Sequence, residues 1–386
     1  MIKYPYSKPE ISKEDIENVK NVLNLGYLTQ GKKIIEFENY LQKLFKSKYA
    51  VVCNSGTAAL HLVYSSLGLD KGFALLTSPI TFLSTANAAT MCGASVVFCD
   101  VDPNTGLMTP DTVENALIKT NLNVKIISVV HLGGRVCDMK GIAKVAKKYN
   151  CLVVEDACHA PGAFYHSDGK VGSCKYSAAT TFSHHAIKHI AMGEGGSITL
   201  NSFSIMKKII EKRSHGMVRN EKKWKYKQET NAMWYYEMHS LGWNYRADEI
   251  TCALGLSQAK RLNKNNRERF RLVKLYKKFL KENEYLKLPD SSSSKTHAWH
   301  LFSIKIDFDK LKKSRGYVMQ KLSKHGIGSQ VHYIPLFLQP YYRKKNITNF
   351  SGAMKYYNET ISLPLYIGLN SEDIKYISMQ LLKILK

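Results

Sequence analysis

The chain is short of several things, and each shortage excludes a class of protein. No apolar run reaches the ~18 residues a membrane-spanning helix needs, and Met1-Ile-Lys-Tyr-Pro-Tyr-Ser7 lacks the apolar core of a secretory signal. The expectation is a cytoplasmic protein with no membrane partner. The eight cysteines (53, 92, 99, 137, 151, 158, 174 and 252) contain no Cys-x-x-Cys pair, and several lie in apolar runs such as Val51-Val-Cys53 and Val97-Phe-Cys99. They read as buried free thiols, so neither a disulfide framework nor a metal site is expected. Acid is scarce, 31 Asp and Glu against 56 Lys and Arg, which leaves a net charge of +25. Such a balance can serve nucleic acid. Yet arginine is scarce too, with 10 of the 56, and the lysines scatter. The densest basic stretch, Lys260 to Lys278, alternates with Leu262, Phe270, Leu272, Val273 and Leu275, which is the solvated face of an amphipathic helix. No nucleic-acid partner is expected. A basic surface can still draw in small anions.

What is present fits a soluble globular protein. At 386 residues with 44% apolar content, the chain is long for one core, so a large unit and a smaller one are expected. Short apolar strands are predicted at Tyr49–Cys53, Ala74–Thr77, Ser95–Cys99, Val124–Val130, Cys151–Glu155 and Ser197–Leu200. Helical patterns lie between them, at Thr57–Leu67, at Met139–Lys148, and where Ile34, Phe37, Leu41, Leu44 and Phe45 recur at spacings of three and four. Strand alternating with helix predicts an α/β protein whose mostly parallel sheet is covered on both faces. One long helix is predicted from Ala247 past Leu275. Beyond it, strands at Leu301–Ile306 and Gly328–Tyr333 and a polar loop at Asp290–Ser294 predict a smaller α+β unit. The large unit is expected over residues 13–250, and the small one over 251–386 together with 1–12.

Four segments could carry chemistry. Lys188 follows Ser183 by five residues and precedes glycines at 193, 195 and 196. An amine there forms an imine with an aldehyde if burial or neighbouring positive groups deprotonate it. With roughly one residue in eight a lysine, a solvated loop residue is the competing reading. Asn54-Ser-Gly-Thr-Ala-Ala59 joins a strand to a helix, and a glycine turn at a helix N-terminus suits a phosphate, with Ser55 and Thr57 as extra donors. A plain N-cap fits the same residues. Val153-Val-Glu-Asp-Ala-Cys-His159 ends a buried strand, which places Asp156 and His159 where ligands of parallel sheets bind. A buried Asp156 needs a cationic partner. Phe82, after the strand that ends at Thr77, is either core or an aromatic platform, and Gly242-Trp-Asn-Tyr-Arg-Ala-Asp-Glu249 reads as a capping loop.

Together these segments resemble the sugar-nucleotide aminotransferases of the DegT/DnrJ/EryC1/StrS family, over nearly the whole chain. The resemblance runs through Leu28-Thr-Gln-Gly31, Asn54 to Leu60, Glu155-Asp156 with His159, Ser183-x-His-x-x-Lys188, Gly193-Glu-Gly-Gly196, Asn244-Tyr-Arg246 and His332-Tyr-Ile-Pro-Leu336. It implies the type I pyridoxal 5′-phosphate (PLP) aminotransferase fold, PLP as cofactor, and a homodimer with shared active sites. It also implies roles: Lys188 holding PLP and then carrying a proton, Asp156 on the pyridine nitrogen, Phe82 stacked on the ring, and His159 on the other side or near the phenolic oxygen. Ser55, Gly56, Thr57 and Ser183 would hold the phosphate, and Asn244 would complete that site from the neighbouring chain.

Within the family, Ser-x-His-Ala-Ile-Lys188, Arg213-Ser-His-Gly-Met217 and Gly328-Ser-Gln-Val-His-Tyr333 are similar to the branch that serves pseudaminic acid synthesis. That branch moves an amino group from glutamate to C4 of a UDP-linked 4-keto-6-deoxy-N-acetyl sugar. His184, the Ala191-Met192 pair and the length of the Asn220–Met238 segment depart from its pattern. The alternatives are the same chemistry on UDP-4-keto-arabinose, a UDP-bacillosamine precursor or a GDP-perosamine precursor. A PLP sugar dehydratase would carry histidine where Lys188 stands.

Overall fold

Apolar runs ended by turn or polar residues build the strands, and the amphipathic segments between them pack as helices. The computed structural model describes residues 2–226, 232–291, 295–343 and 349–386. Seven strands form the main sheet: β1 (Tyr49–Cys53), β2 (Ala74–Thr77), β3 (Ser95–Phe98), β4 (Val124–Val130), β5 (Leu152–Asp156), β6 (Ala179–Ser183) and β7 (Gly196–Leu200). Their order is β1-β7-β6-β5-β4-β2-β3, and every neighbouring pair is parallel except those of β7, which runs antiparallel to both β1 and β6. Alternate strand residues feed two cores, one on each face. Val51 and Ile126 join α3 (Gly56–Ser66), α4 (Ser84–Met91) and α7 (Phe203–Arg213); Val52 and Ile127 join α2 (Lys32–Phe45), α6 (Met139–Lys148) and α8 (Glu249–Lys260). Both faces being covered, the strands are apolar on both sides rather than alternating.

Three features differ from the sequence expectations. β6 lies outside the predicted strands because its Ala-Thr-Thr-Phe-Ser looks polar. Its threonines are buried, with Thr180 Oγ1 donating to the Glu155 carboxylate (3.0 Å) and Thr181 Oγ1 to the Glu155 backbone oxygen (3.2 Å). The single long helix is two, α8 and α9 (Leu262–Phe279), with a break at Arg261. Arg261 reaches Glu10 (2.8 Å) and the buried Asp15 (2.5 Å); α8 lies against α2 and α1 (Lys13–Leu25), and α9 enters a third core. Gly328–Tyr333 is not a strand: only Gln330 bridges to Ser362, and the strand opposite is Thr360–Leu363.

That third core gathers Tyr4, Tyr276, Phe302, Ile304, Ile377 and Leu381 around a three-stranded antiparallel sheet. A short ribbon, β8 (Met217–Val218) and β9 (Glu237–Met238), precedes it in the chain, and the sheet itself is β10 (Leu286–Lys287), β11 (Phe302–Ile306) and β12 (Thr360–Leu363). Tyr276 stacks on Phe302 with centroids 4.4 Å apart, and truncating either ring to alanine should cost about 3–5 kcal/mol. Residues 292–294 of the predicted polar loop, and 227–231 of the long segment at 220–238, lie outside the described residues. Among the described residues no helix is long and apolar enough to cross a membrane.

Candidate active site

Adjacent residues at the end of β5 face opposite sides of the sheet and do different work. Glu155 is fully buried and accepts from His131 Nε2 (3.0 Å), Tyr165 Oη (2.9 Å), Ser177 Oγ (2.5 Å) and Thr180 Oγ1 (3.0 Å), so it ties β4, β5 and β6 together at their carboxyl ends. Asp156, also buried, faces a cavity of about 670 Å³ above those ends. Its Oδ2 accepts from Thr85 Oγ1 at 2.7 Å and its Oδ1 from the Cys158 N–H at 3.3 Å. Thr85 Oγ1 is also 2.9 Å from Thr81 Oγ1.

Lys188 reaches the same cavity from the turn between β6 and β7. The turn folds on itself through His184 N to Gly195 O, Ala186 N to Gly193 O, Lys188 N to His185 O and Met192 N to His184 O, each 2.8 Å. Gly193 takes a left-handed φ of 82° there. Burial lowers the Lys188 amine below its ordinary pKa, against the opposing pull of Cys158 and Asp156.

The start of α3 forms the cavity's next wall. Ser55 Oγ caps the helix by accepting from the Ala58 N–H (3.0 Å). The N–H groups of Gly56 and Thr57 have no acceptor among the described residues, as the first turn of a helix leaves them. A Cβ on Gly56 would stand 2.9 Å from Ser183 Cβ, and one on Gly196 only 2.2 Å from the Ser55 carbonyl oxygen. Glycine at both positions lets the helix end rest directly on β6 and β7. Ser55, Gly56, Thr57, Ser183 and Lys188 thereby surround one space.

Aromatic and imidazole rings complete it. Phe82, 57% exposed, lines the cavity and approaches Tyr333 at 6.1 Å between centroids. His159 stacks on His300 (4.4 Å), and His300 approaches His189 (5.3 Å). His332 Nδ1 lies 2.8 Å from Ser362 Oγ. Burial pushes all four imidazoles well below their usual range, His332 to about 3, and the Lys188 charge adds to the effect. Lys188 is the one lysine or arginine among the described lining residues. On the rim, His185 faces Glu194 at 3.9 Å.

Eight of the nine predicted site residues thus meet at one cavity; Asn244 does not. It is exposed, on a loop whose backbone is held by Asn54 N to Tyr245 O (2.9 Å), Asn54 Nδ2 to Asn244 O (3.2 Å) and Trp243 N to Lys212 O (2.7 Å). Sequence reasoning missed Thr85, Tyr333, His300 and Tyr6. Thr81 and Thr85, four apart, were a visible signal, and Tyr333 stood inside a quoted motif with no role attached. His300 and Tyr6 gave no sequence signal.

Comparison with known proteins follows this geometry closely. Residues 9–382 match the model of the DegT/DnrJ/EryC1/StrS aminotransferase family. The chain is 36% identical over 376 residues to the spore coat polysaccharide biosynthesis protein SpsC of Bacillus subtilis, covering 96% of this chain and 94% of that one. It is 35% identical over 382 residues to the UDP-4-amino-4,6-dideoxy-N-acetyl-beta-L-altrosamine transaminase of Campylobacter jejuni, covering 99% and 97%. Among solved structures, Helicobacter pylori PseC, an aminotransferase of pseudaminic acid biosynthesis, superposes with a TM-score of 0.89 at 31% identity, covering 99% and 98%. Spr1654 of Streptococcus pneumoniae in its PLP form gives 0.86 at 26%, covering 99% and 98%.

Proposed function

The chain belongs to the DegT/DnrJ/EryC1/StrS aminotransferase family with pyridoxal 5′-phosphate as its cofactor, and from that premise we propose that it carries the amino group of glutamate to C4 of a UDP-linked 4-keto-6-deoxy-N-acetyl sugar, the reaction of pseudaminic acid synthesis. The observation that carries the choice of sugar is the full-length similarity to the Campylobacter jejuni transaminase, together with the Ser-x-His-Ala-Ile-Lys188 turn that lines the cavity.

The residues present fit the cofactor. Unpaired N–H groups at a helix N-terminus, flanked by Ser55, Thr57 and Ser183, suit a dianionic phosphate. A buried carboxylate at Asp156, with no cationic side chain bonded to it among the described residues, suits a protonated ring nitrogen. Phe82 offers an apolar platform between them. When bound, the group supplies an aldehyde that takes up an amino group and a ring that draws electrons from the carbon losing its proton. Lys188 Nζ would hold the group through its amine and, once released, would carry the proton to and from the substrate carbon. Burial lowers its pKa, which favours the uncharged amine that both roles need. The Asp156 carboxylate, held in place by Thr85, would keep the ring nitrogen protonated. His159, held by the Gly133 N–H and stacked on His300, would flank the group, and Asn244 of each chain would complete the phosphate site of its partner in a homodimer.

The test supplies glutamate with a panel of 4-keto sugar nucleotides. We expect kcat/KM to be highest for the UDP-linked L-altro sugar and to fall with added salt, as attraction between a basic protein and a pyrophosphate requires. A preference for the D-xylo epimer, UDP-4-keto-arabinose or a GDP-linked sugar would overturn the choice of sugar and leave the aminotransferase standing.

A further inference from the structure

Both ring nitrogens of His159 are engaged inside the chain, and their partners settle its tautomer. Nδ1 receives the Gly133 N–H at 3.2 Å, so it is a bare acceptor and cannot carry a proton. The proton of the neutral ring is then on Nε2, which lies 3.3 Å from Tyr333 Oη and donates to it. Tyr333 accepts that bond through its oxygen, so its own O–H hydrogen remains to be given elsewhere. No acceptor for it exists among the described residues, and Tyr333 lines the cavity with Lys188, Asp156 and Phe82. The imidazole therefore offers that cavity a ring face and no free nitrogen. His300 stacked behind it and the Gly133 peptide at its edge fix the ring's plane.

We propose that Tyr333 is the hydrogen-bond donor to the oxygen held beside Lys188, and that His159 is a positioning residue acting through it. The order of donors is Gly133 N–H to His159, His159 Nε2–H to Tyr333, and Tyr333 O–H to the bound oxygen. That oxygen belongs either to the cofactor ring or to a substrate, and the chemistry of the donor is the same for both. The inference rests on the cofactor being held at Lys188.

Four variants test it: Tyr333→Phe, His159→Leu, the two combined, and His159→Gln, whose amide can still donate to Tyr333. Tyr333→Phe keeps the ring and its packing. We expect it to slow a half-reaction about tenfold, equivalent to roughly 1.4 kcal/mol. His159→Leu should cost a similar factor, the double variant little more than either single one, and His159→Gln should recover part of the loss. Half-reactions are followed by single-turnover absorbance with glutamate and with the keto sugar, and the visible absorbance of the resting enzyme is titrated with pH. If the oxygen is the cofactor's, the resting titration shifts in Tyr333→Phe. If it is a substrate's, the titration holds and the loss is confined to that substrate's half-reaction. Unchanged titration with both half-reactions at wild-type rate, or losses that multiply in the double variant, would overturn the proposal. Borohydride trapping on the wild type separates failure of the premise, since the cofactor would then not be fixed to Lys188.

Discussion

Thr85→Val is the sharpest probe of how this chain holds its buried carboxylate. Thr85 is fully buried, and its O–H is committed to Asp156 Oδ2 at 2.7 Å. Because that hydrogen is spent, the 2.9 Å contact with Thr81 must have Thr81 as donor. Valine keeps the shape and removes both bonds. The remaining bond to Asp156, from the Cys158 N–H at 3.3 Å, is the longer of its two. A hydrogen bond to a charged group contributes about 1.5–3 kcal/mol, so Thr85→Val should lose that much in urea unfolding of the cofactor-free protein. Thr85→Ser keeps the hydroxyl and removes one methyl, for about 0.8 kcal/mol. With the cofactor bound, the ring nitrogen gives Asp156 a cationic partner, so the gap between valine and wild type should narrow. The assay is the urea midpoint of the three proteins with and without PLP, at equal m-value. A cofactor-free Thr85→Val that unfolds with wild type, or a serine variant worse than the valine one, refutes the reasoning.

Three further outcomes are expected. Borohydride should fix the cofactor to a single peptide containing Lys188, and Lys188→Ala should lose turnover; a labelled peptide without Lys188 rules the assignment out. Mixing Lys188→Ala chains with Asn244→Ala chains should restore activity through mixed dimers carrying one intact site, whereas a fully active monomer in sedimentation would dispose of the shared site. Burial holds His184, His297 and His332 at about 3 and His61 at about 4, against an ordinary 6.5. The unfolded chain therefore binds more protons at these histidines below pH 6.5, and the urea midpoint should fall as the pH drops below that value. His184→Phe should flatten part of the fall, and an unchanged slope would show that His184 is not among the groups responsible.

The parts of this site that were legible from the sequence were those whose chemistry travels with local backbone. Asp156 at a strand end, Gly56 and Thr57 at a helix start, and Lys188 in a glycine-closed turn each imply their position from neighbours within a few residues. β6 was not legible because Thr180 and Thr181 look exposed until Glu155 is seen beside them. The break between α8 and α9 was hidden because Arg261 is an ordinary helix residue whose partners, Glu10 and Asp15, lie about 250 positions away. Tyr333 was read as part of a strand since Gly328–Tyr333 alternates suitably. Its partner His159 is 174 residues distant, and no periodicity records such a contact. The role proposed for Asn244 would depend on another chain, which one chain's pattern cannot specify.

The distribution of charge links the fold to the proposed reaction. A chain of net charge +25 places only one lysine or arginine side chain among the described residues of its cavity. Around Lys188 stand imidazoles that burial keeps neutral, and His159 cannot accept a proton at Nδ1 without losing the Gly133 bond. In the proposed reaction a proton released from a substrate carbon would therefore have Lys188 Nζ as its ready carrier, and would return from the same atom. The carboxylates of glutamate and the diphosphate of a sugar nucleotide, by contrast, find too little positive charge inside to be neutralised there. They must remain toward the mouth, or meet residues of a second chain, where the basic surface acts on them through water. Salt should therefore weaken capture of the substrate, in kcat/KM, while leaving the proton transfer at Lys188, and so kcat, nearly untouched.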